Sequence, residues 1–142
     1  MNILVCIKRV PDVGSKFNLT ADSKAIDTTN LGFTISPHEE CAVEEAISLI
    51  EKHGGSTTVL TLGPPAAEEQ LRDRLARGID EAILLSSDIS EWDPMQTANA
   101  IIDTIRSVEE KSGKFDLLMF GNESADSGNA QVGIRVAYGL GI

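Results

Sequence analysis

Four short apolar runs, each followed by a segment with helical spacing, restrict this chain more than any other feature. They are "NILVCIKRV" (Asn2 to Val10), "STTVLTLG" (Ser56 to Gly63), "EAILLSS" (Glu81 to Ser87) and "KFDLLMFG" (Lys114 to Gly121). The first is nearly continuous and rich in β-branched residues, which marks a strand covered on both faces, as in parallel sheets. Strand and helix alternate along the whole length without a repeat or a linker. That order implies parallel strands joined by right-handed crossovers, with helices on both faces: an α/β fold, a three-layer open sheet, mostly parallel. The 142 residues suffice for a single domain, 1–142, with a real core.

The helical segments carry end signals. "SPHEECAVEEAISLIEKHGG" begins with a capping Ser36, has Pro37 at the first helical position, and completes Ser-x-x-Glu with Glu39. Ala42, Val43, Ala46, Ile47 and Ile50 form its apolar stripe, and Gly54 and Gly55 stop it. "PPAAEEQLRDRLARGID" is expected to be the second helix, with Leu71 and Leu75 inward and Gly78 at the end. Arg72, Arg74 and Arg77 on it suit surface ion pairs better than a patch for a partner protein. Asp93 and Pro94 open the third helix, with Met95, Ala98, Ile101, Ile102 and Ile105 inward and Trp92 packing at its start. A fourth begins in "AQVGIRVAYGLG". Between Ser15 and Ile35 the pattern is mixed and suggests a short hairpin or an irregular excursion.

Charge and composition exclude several classes. The formal net charge of −10 repels phosphate backbones, so nucleic acid is a poor partner. No apolar run approaches the roughly 20 residues that span a bilayer. The opening "MNILVCIKRVPD" has its cations after the apolar run and no cleavage site, unlike a secretory signal, so no membrane insertion and a cytoplasmic location are expected. Cys6 and Cys41 both lie in apolar patterns and read as reduced, buried thiols that pack rather than react. Neither they nor His38 and His53 have metal-site spacing.

In sheets of this kind ligands bind beyond the carboxyl ends of the strands, where the strand order reverses. "KRVPD", "TLGPP" and "FGNESADSGNAQVG" leave strand ends with suitable chemistry and converge if their strands are neighbours. The last is the most distinctive. Gly121 allows a sharp turn, Gly128 and Gly133 permit close approach, and Ser127, Asn129 and Gln131 can donate hydrogen bonds. The amides opening the next helix lack intrahelical partners and carry the positive end of its dipole, which suits a phosphate. The loop is neither a Walker loop nor a G-x-G-x-x-G fingerprint, and a plain surface loop is the competing reading. Asp126 has the wrong sign for phosphate contact; it can hold the loop's own amides or accept from a sugar hydroxyl. Lys8 and Arg9 are the nearest cations, as phosphate or loop partners. No nucleophile, base and orienting group occur together, so no enzyme is expected.

"VCIKRVPD", "ISPHEECAVEEAISL", "VLTLGPP", "RDRLARGIDEAILL" and "DLLMFGNESADSGNAQVG", in this order and spacing, resemble the β subunit of electron-transfer flavoprotein, over essentially the whole chain. The resemblance implies an adenine-nucleotide-binding topology of the HUP-like kind, with AMP, or a second FAD in electron-bifurcating members, buried in this subunit. It implies an α subunit holding another FAD, and a heterodimer that shuttles electrons from acyl-CoA or other dehydrogenases or to a quinone reductase. Carried over, Cys6 lies against the nucleotide, and Ser36, Pro37, His38 and Glu39 touch adenosine. Leu62 is the strand-end residue before Gly-Pro. The nucleotide loop is Gly121, Asn122, Glu123, Ser124, Ala125, Asp126, Ser127, Gly128, Asn129, Ala130, Gln131 and Val132, continuing into Gly133. His38 and Val13 fall where the family approaches the α-bound flavin, often with aromatic residues that this chain lacks. "GNES" departs from the more usual Gly-Arg-Gln, while Gln131-Val132-Gly133 resembles bifurcating members, which leaves AMP and FAD both open. The family's β subunits continue into further strands and a C-terminal arm, so bare edges, self-association or disorder are expected near Ile142. The alternative is a standalone adenine-nucleotide-binding protein of the universal-stress-protein type, but the loop lacks that kind's closing Gly-Ser/Thr. A nucleotidyl hydrolase would need an SGG-x-D-S-like loop where "PDVGSK" stands.

Overall fold

The computed structural model describes residues 1–88 and 92–142. Four parallel strands, β1 (Asn2–Ile7), β4 (Ser56–Gly63), β5 (Glu81–Ser86) and β6 (Leu117–Phe120), form one sheet in the order β5-β4-β1-β6. A ribbon of β2 (Arg9–Pro11) and β3 (Phe33–Ile35) stands beside it. The helices are α1 (Pro37–His53), α2 (Glu68–Ala76), α3 (Pro94–Ser112) and α4 (Val132–Leu140).

β1 is central, and its alternation supplies two cores. Ile3, Val5 and Ile7 pack with Val43 and Ala46 of α1 and Leu71 of α2. Leu4 and Cys6 pack with Ala98, Ile101 and Ile105 of α3 and Val136 of α4. The result is three layers, with α1 and α2 on one face and α3 and α4 on the other. The chain builds outward from β1 to β4 to β5, then crosses back to place β6 on the other side of β1. The strand order therefore reverses between β1 and β6, where such sheets open a crevice.

The opening apolar run is not one strand, as its composition suggests, but two. The break falls at Lys8, whose N–H goes to the Glu39 carboxylate at 3.0 Å instead of a neighbouring strand. From there β2 leaves the sheet, and Pro11 is tolerated because the ribbon is narrow and open at its sides. The excursion that follows contains a single bridge, Leu19 to Ile26, and leaves Val13, Phe17, Leu19 and Ile26 exposed.

Four burial expectations fail, those for Leu75, Arg74, Met95 and Cys41. Leu75 is 39% exposed, and the inner side of α2 is Gln70, Leu71 and Arg74, with Ala67 buried just before it. Arg74 can be buried because its guanidinium pairs with Glu40 and Asp73, while Arg72 and Arg77 make the surface ion pairs with Glu68 and Asp73. Met95 is half-exposed in the first turn of α3, which Asp93 caps through the Met95 and Gln96 amides; the buried side begins at Ala98. Cys41 is exposed, one step round the helix from the Ala42–Val43–Ala46 stripe; only Cys6 is a buried thiol. At the far end α4 is helical to Leu140, and Ile134, Tyr138 and Ile142 are exposed. No described helix is long and apolar enough to cross a membrane.

Candidate functional site

A cavity of about 600 Å³ opens at the carboxyl ends of β1, β4 and β6, a size suited to a small-molecule ligand. The three stretches that leave these strands all line it: Lys8, Arg9 and Pro11 after β1, Leu62, Gly63 and Pro64 at β4, and the loop from Gly121 after β6. The head of α4 completes the wall with Val132, Gly133 and Ile134. Gln131 at the N-cap gives its own side chain to Arg135, at 2.8 Å, and makes no cap hydrogen bond, so no side chain occupies the amides of the first turn. Those amides are the natural anion donors of the site.

Glu39 holds the opposite wall together. Its Oε2 accepts from Lys8 N–H at 3.0 Å and from Ser36 N–H at 3.2 Å, so one carboxylate joins the exit of β1 to the head of α1. The second bond is half of a capping box. The Ser36 hydroxyl turns to the loop and donates to the Glu123 carbonyl at 3.3 Å. Burial pushes the Glu39 carboxyl up to about 7, against the opposing pull of the Lys8 and Ser36 amides and the Lys8 charge. Burial, with the Glu39 charge adding to it, also pushes the Cys6 thiol far up, so Cys6 is an inert packing residue.

The loop is tied down on its other side. Lys8 Nζ meets Asp126 at 2.7 Å and lies 3.3 Å from Ser127 Oγ. Asp126 also accepts from Ser127 N–H at 2.8 Å. Partial burial raises its carboxyl, but the bonds from Lys8 and Ser124, the Lys8 charge and the Ser127 amide outweigh this and hold it below the usual carboxylate range. The unfavourable charge in the loop is therefore neutralised from within the protein. Lys8 is a loop partner here, and Arg9 instead stacks on Phe33, 3.3 Å from the ring centroid.

Gly121 and Gly133 serve close approach, but to protein rather than ligand. A Cβ at Gly121 would stand 2.7 Å from Glu39 Cγ and 3.3 Å from Glu39 N. One at Gly133 would meet Phe120 Cγ at 3.2 Å. Each glycine lets two walls of the cavity touch.

A family model for the electron transfer flavoprotein domain matches residues 24–142. The chain belongs to the electron transfer flavoprotein family. Protein FixA of Azorhizobium caulinodans is 36% identical over 143 residues, covering all of this chain and 50% of that protein. The electron transfer flavoprotein subunit beta of Bacillus subtilis is 36% identical over 144 residues, all of this chain and 53% of its own. That of Thermoanaerobacterium thermosaccharolyticum is 37% identical over 143 residues, again all of this chain and 53% of its own. The chain thus spans about half the length of the curated relatives it matches.

Most residues singled out in this electron transfer flavoprotein chain come together. Cys6, Lys8, Glu39 and Leu62 line the cavity. So do Gly121, Asn122, Glu123 and Ser124, then Asp126 and Ser127, then Asn129 through Gly133. Five do not. Ser36 is fully buried, Pro37 and His38 are exposed in α1's first turn, with His38 Cβ beside Gly121 but outside the cavity lining, and Ala125 and Gly128 are exposed in the loop. Pattern reasoning missed Phe33, Trp92, Pro94, Thr97 and Ile101, which also line the cavity. For Trp92 and Ile101 the signal misled, because position at a helix start or on an apolar stripe reads as packing.

Proposed function

We propose that this chain is the adenine-nucleotide-holding part of an electron transfer flavoprotein β-type subunit. It holds AMP or FAD, pairs with an FAD-bearing α subunit, and within that heterodimer passes electrons from acyl-CoA or other dehydrogenases. The observation that supports this best is the cavity at the β1–β6 reversal, walled by uncapped first-turn amides of α4. In this reading those amides, with Ser127 and Asn129, hold the phosphate. Cys6 and Leu62 give apolar floor, and Lys8 holds Asp126 away as a neutralised pair. A bound flavin would supply the electron chemistry; the protein contributes position, exclusion of water and electrostatics. Mass spectrometry of the small molecules released when the purified protein is denatured tests the reading. AMP or FAD in near-stoichiometric amount is expected, and release of neither from a protein that also binds neither on addition refutes it.

The Lys8–Asp126 pair gives a sharper expectation. Lys8→Met leaves the Asp126 charge uncompensated beside the phosphate position and weakens AMP binding roughly fivefold, the scale of a partly exposed ion pair. The double variant Lys8→Met/Asp126→Asn regains most of that loss in a calorimetric titration. Equal binding by the single variant and the wild type removes the pair from the site's electrostatics.

A further inference from the structure

The cavity lining also contains a group of residues that do not belong to the phosphate loop. They come from β4, the first turns of α3 and the residues beside them: Leu60, Pro64, Trp92, Pro94 and Ile101. Trp92 is the only tryptophan in the chain. Its indole N–H donates to Ser87 Oγ at 3.0 Å, so its one polar atom is already satisfied away from any ligand. Ser87 in turn donates its N–H to the Gly63 carbonyl at 2.9 Å, which fixes the exit of β5 beside that of β4. On the other side the Asp93 cap and Pro94 set the backbone. Trp92 is thus anchored through its indole and through its chain, and what it offers the cavity is apolar aromatic surface.

An aromatic ring that lines one cavity together with Leu60, Pro94 and Ile101 suits a flat ligand ring. Such surfaces gain by offset stacking, which tolerates any base or fused heterocycle. We propose that Trp92 is the stacking residue for the planar ring of the bound nucleotide, either adenine or the flavin ring. The inference rests on the nucleotide reading above, and its test separates the two.

Calorimetric titrations of wild type, Trp92→Phe and Trp92→Ala with AMP, FAD and ribose 5-phosphate decide it. Trp92→Ala weakens AMP or FAD roughly tenfold, Trp92→Phe stays within about twofold, and ribose 5-phosphate, which has no ring, is unaffected by either change. Loss for both AMP and FAD assigns the surface to adenine; loss for FAD alone assigns it to the flavin ring. Should Trp92→Ala fail to fold, the wild-type tryptophan is its own reporter. Its emission follows the AMP binding curve if adenine stacks on it, and for a stacked flavin ring Trp92→Leu weakens FAD as Trp92→Ala would. If the wild type binds AMP and FAD while neither Trp92→Ala nor Trp92→Leu weakens either of them, the stacking role is overturned and the nucleotide reading stands. If the wild type binds neither, both are overturned.

Discussion

Replacing Gly121 by valine is expected to destabilise the protein by about 3 kcal/mol or more, read as a large fall in the urea midpoint. The new Cβ would sit 2.7 Å from Glu39 Cγ and 3.3 Å from Glu39 N. Neither neighbour can yield. The nitrogen belongs to the first turn of α1 and donates to the Ser36 carbonyl at 2.9 Å. The Cγ is held by the carboxylate's bonds to the Lys8 and Ser36 amides. Relief requires the loop to move away from α1, which breaks the Ser36–Glu123 bond and widens the cavity. Nucleotide content should therefore fall together with stability. Gly133→Ala is the milder comparison, since its contacts are atoms of one side chain, Phe120, which can shift by a few tenths of an ångström. A Gly121→Val protein as stable as the wild type would show that the loop and α1 do not touch in solution.

Glu39 provides the second large effect. Glu39→Ala strands two backbone amides, Lys8 and Ser36, in a largely buried place and is expected to cost roughly 2–4 kcal/mol. Glu39→Gln should cost less, because both amides converge on one oxygen, Oε2, which an amide oxygen can replace. The two variants also separate structure from charge. The folded carboxyl is pushed up from 4.5 to about 7, so the folded state binds this proton more tightly than the unfolded chain does. Its contribution to stability is fully present below pH 4.5 and is lost as pH rises through about 7, about 3 kcal/mol in all. Asp126, held low, acts in the opposite sense and only in more acidic solution. Urea denaturation between pH 4.5 and 7.5 should show wild-type stability declining, with the decline flattened in Glu39→Gln. A wild type and Glu39→Gln with parallel pH profiles would mean that this carboxyl ionises as freely as an exposed one.

Much of this arrangement is legible in the sequence because it depends on local signals. The Ser-Pro-x-Glu start of α1, the Asp93 cap of α3 and the glycine stops act within a few residues, and the alternation of strands and helices forces a parallel sheet. Convergence of three strand exits follows once the order reverses beside β1. The remainder depends on distant partners. Nothing near Lys8 announces that β1 ends there; a carboxylate 31 residues on takes its amide. Arg74 is buried where the apolar pattern favours Leu75, because Glu40 on another helix and Asp73 pair with its guanidinium. The glycines at 121 and 133 read as ligand contacts, yet each is needed by a neighbouring protein wall. Trp92 reads as packing, and it is a wall of the cavity as well.

The central claim is that the uncapped first turn of α4 grips an adenylate phosphate in the cavity where the strand order reverses. Parallel calorimetric titrations of the wild type with AMP and with adenosine test it most directly. AMP is expected to bind and to raise the melting temperature, with adenosine roughly tenfold weaker or more, as loss of charge-assisted hydrogen bonds requires. Equal affinities for AMP and adenosine, or no binding of either, would contradict it.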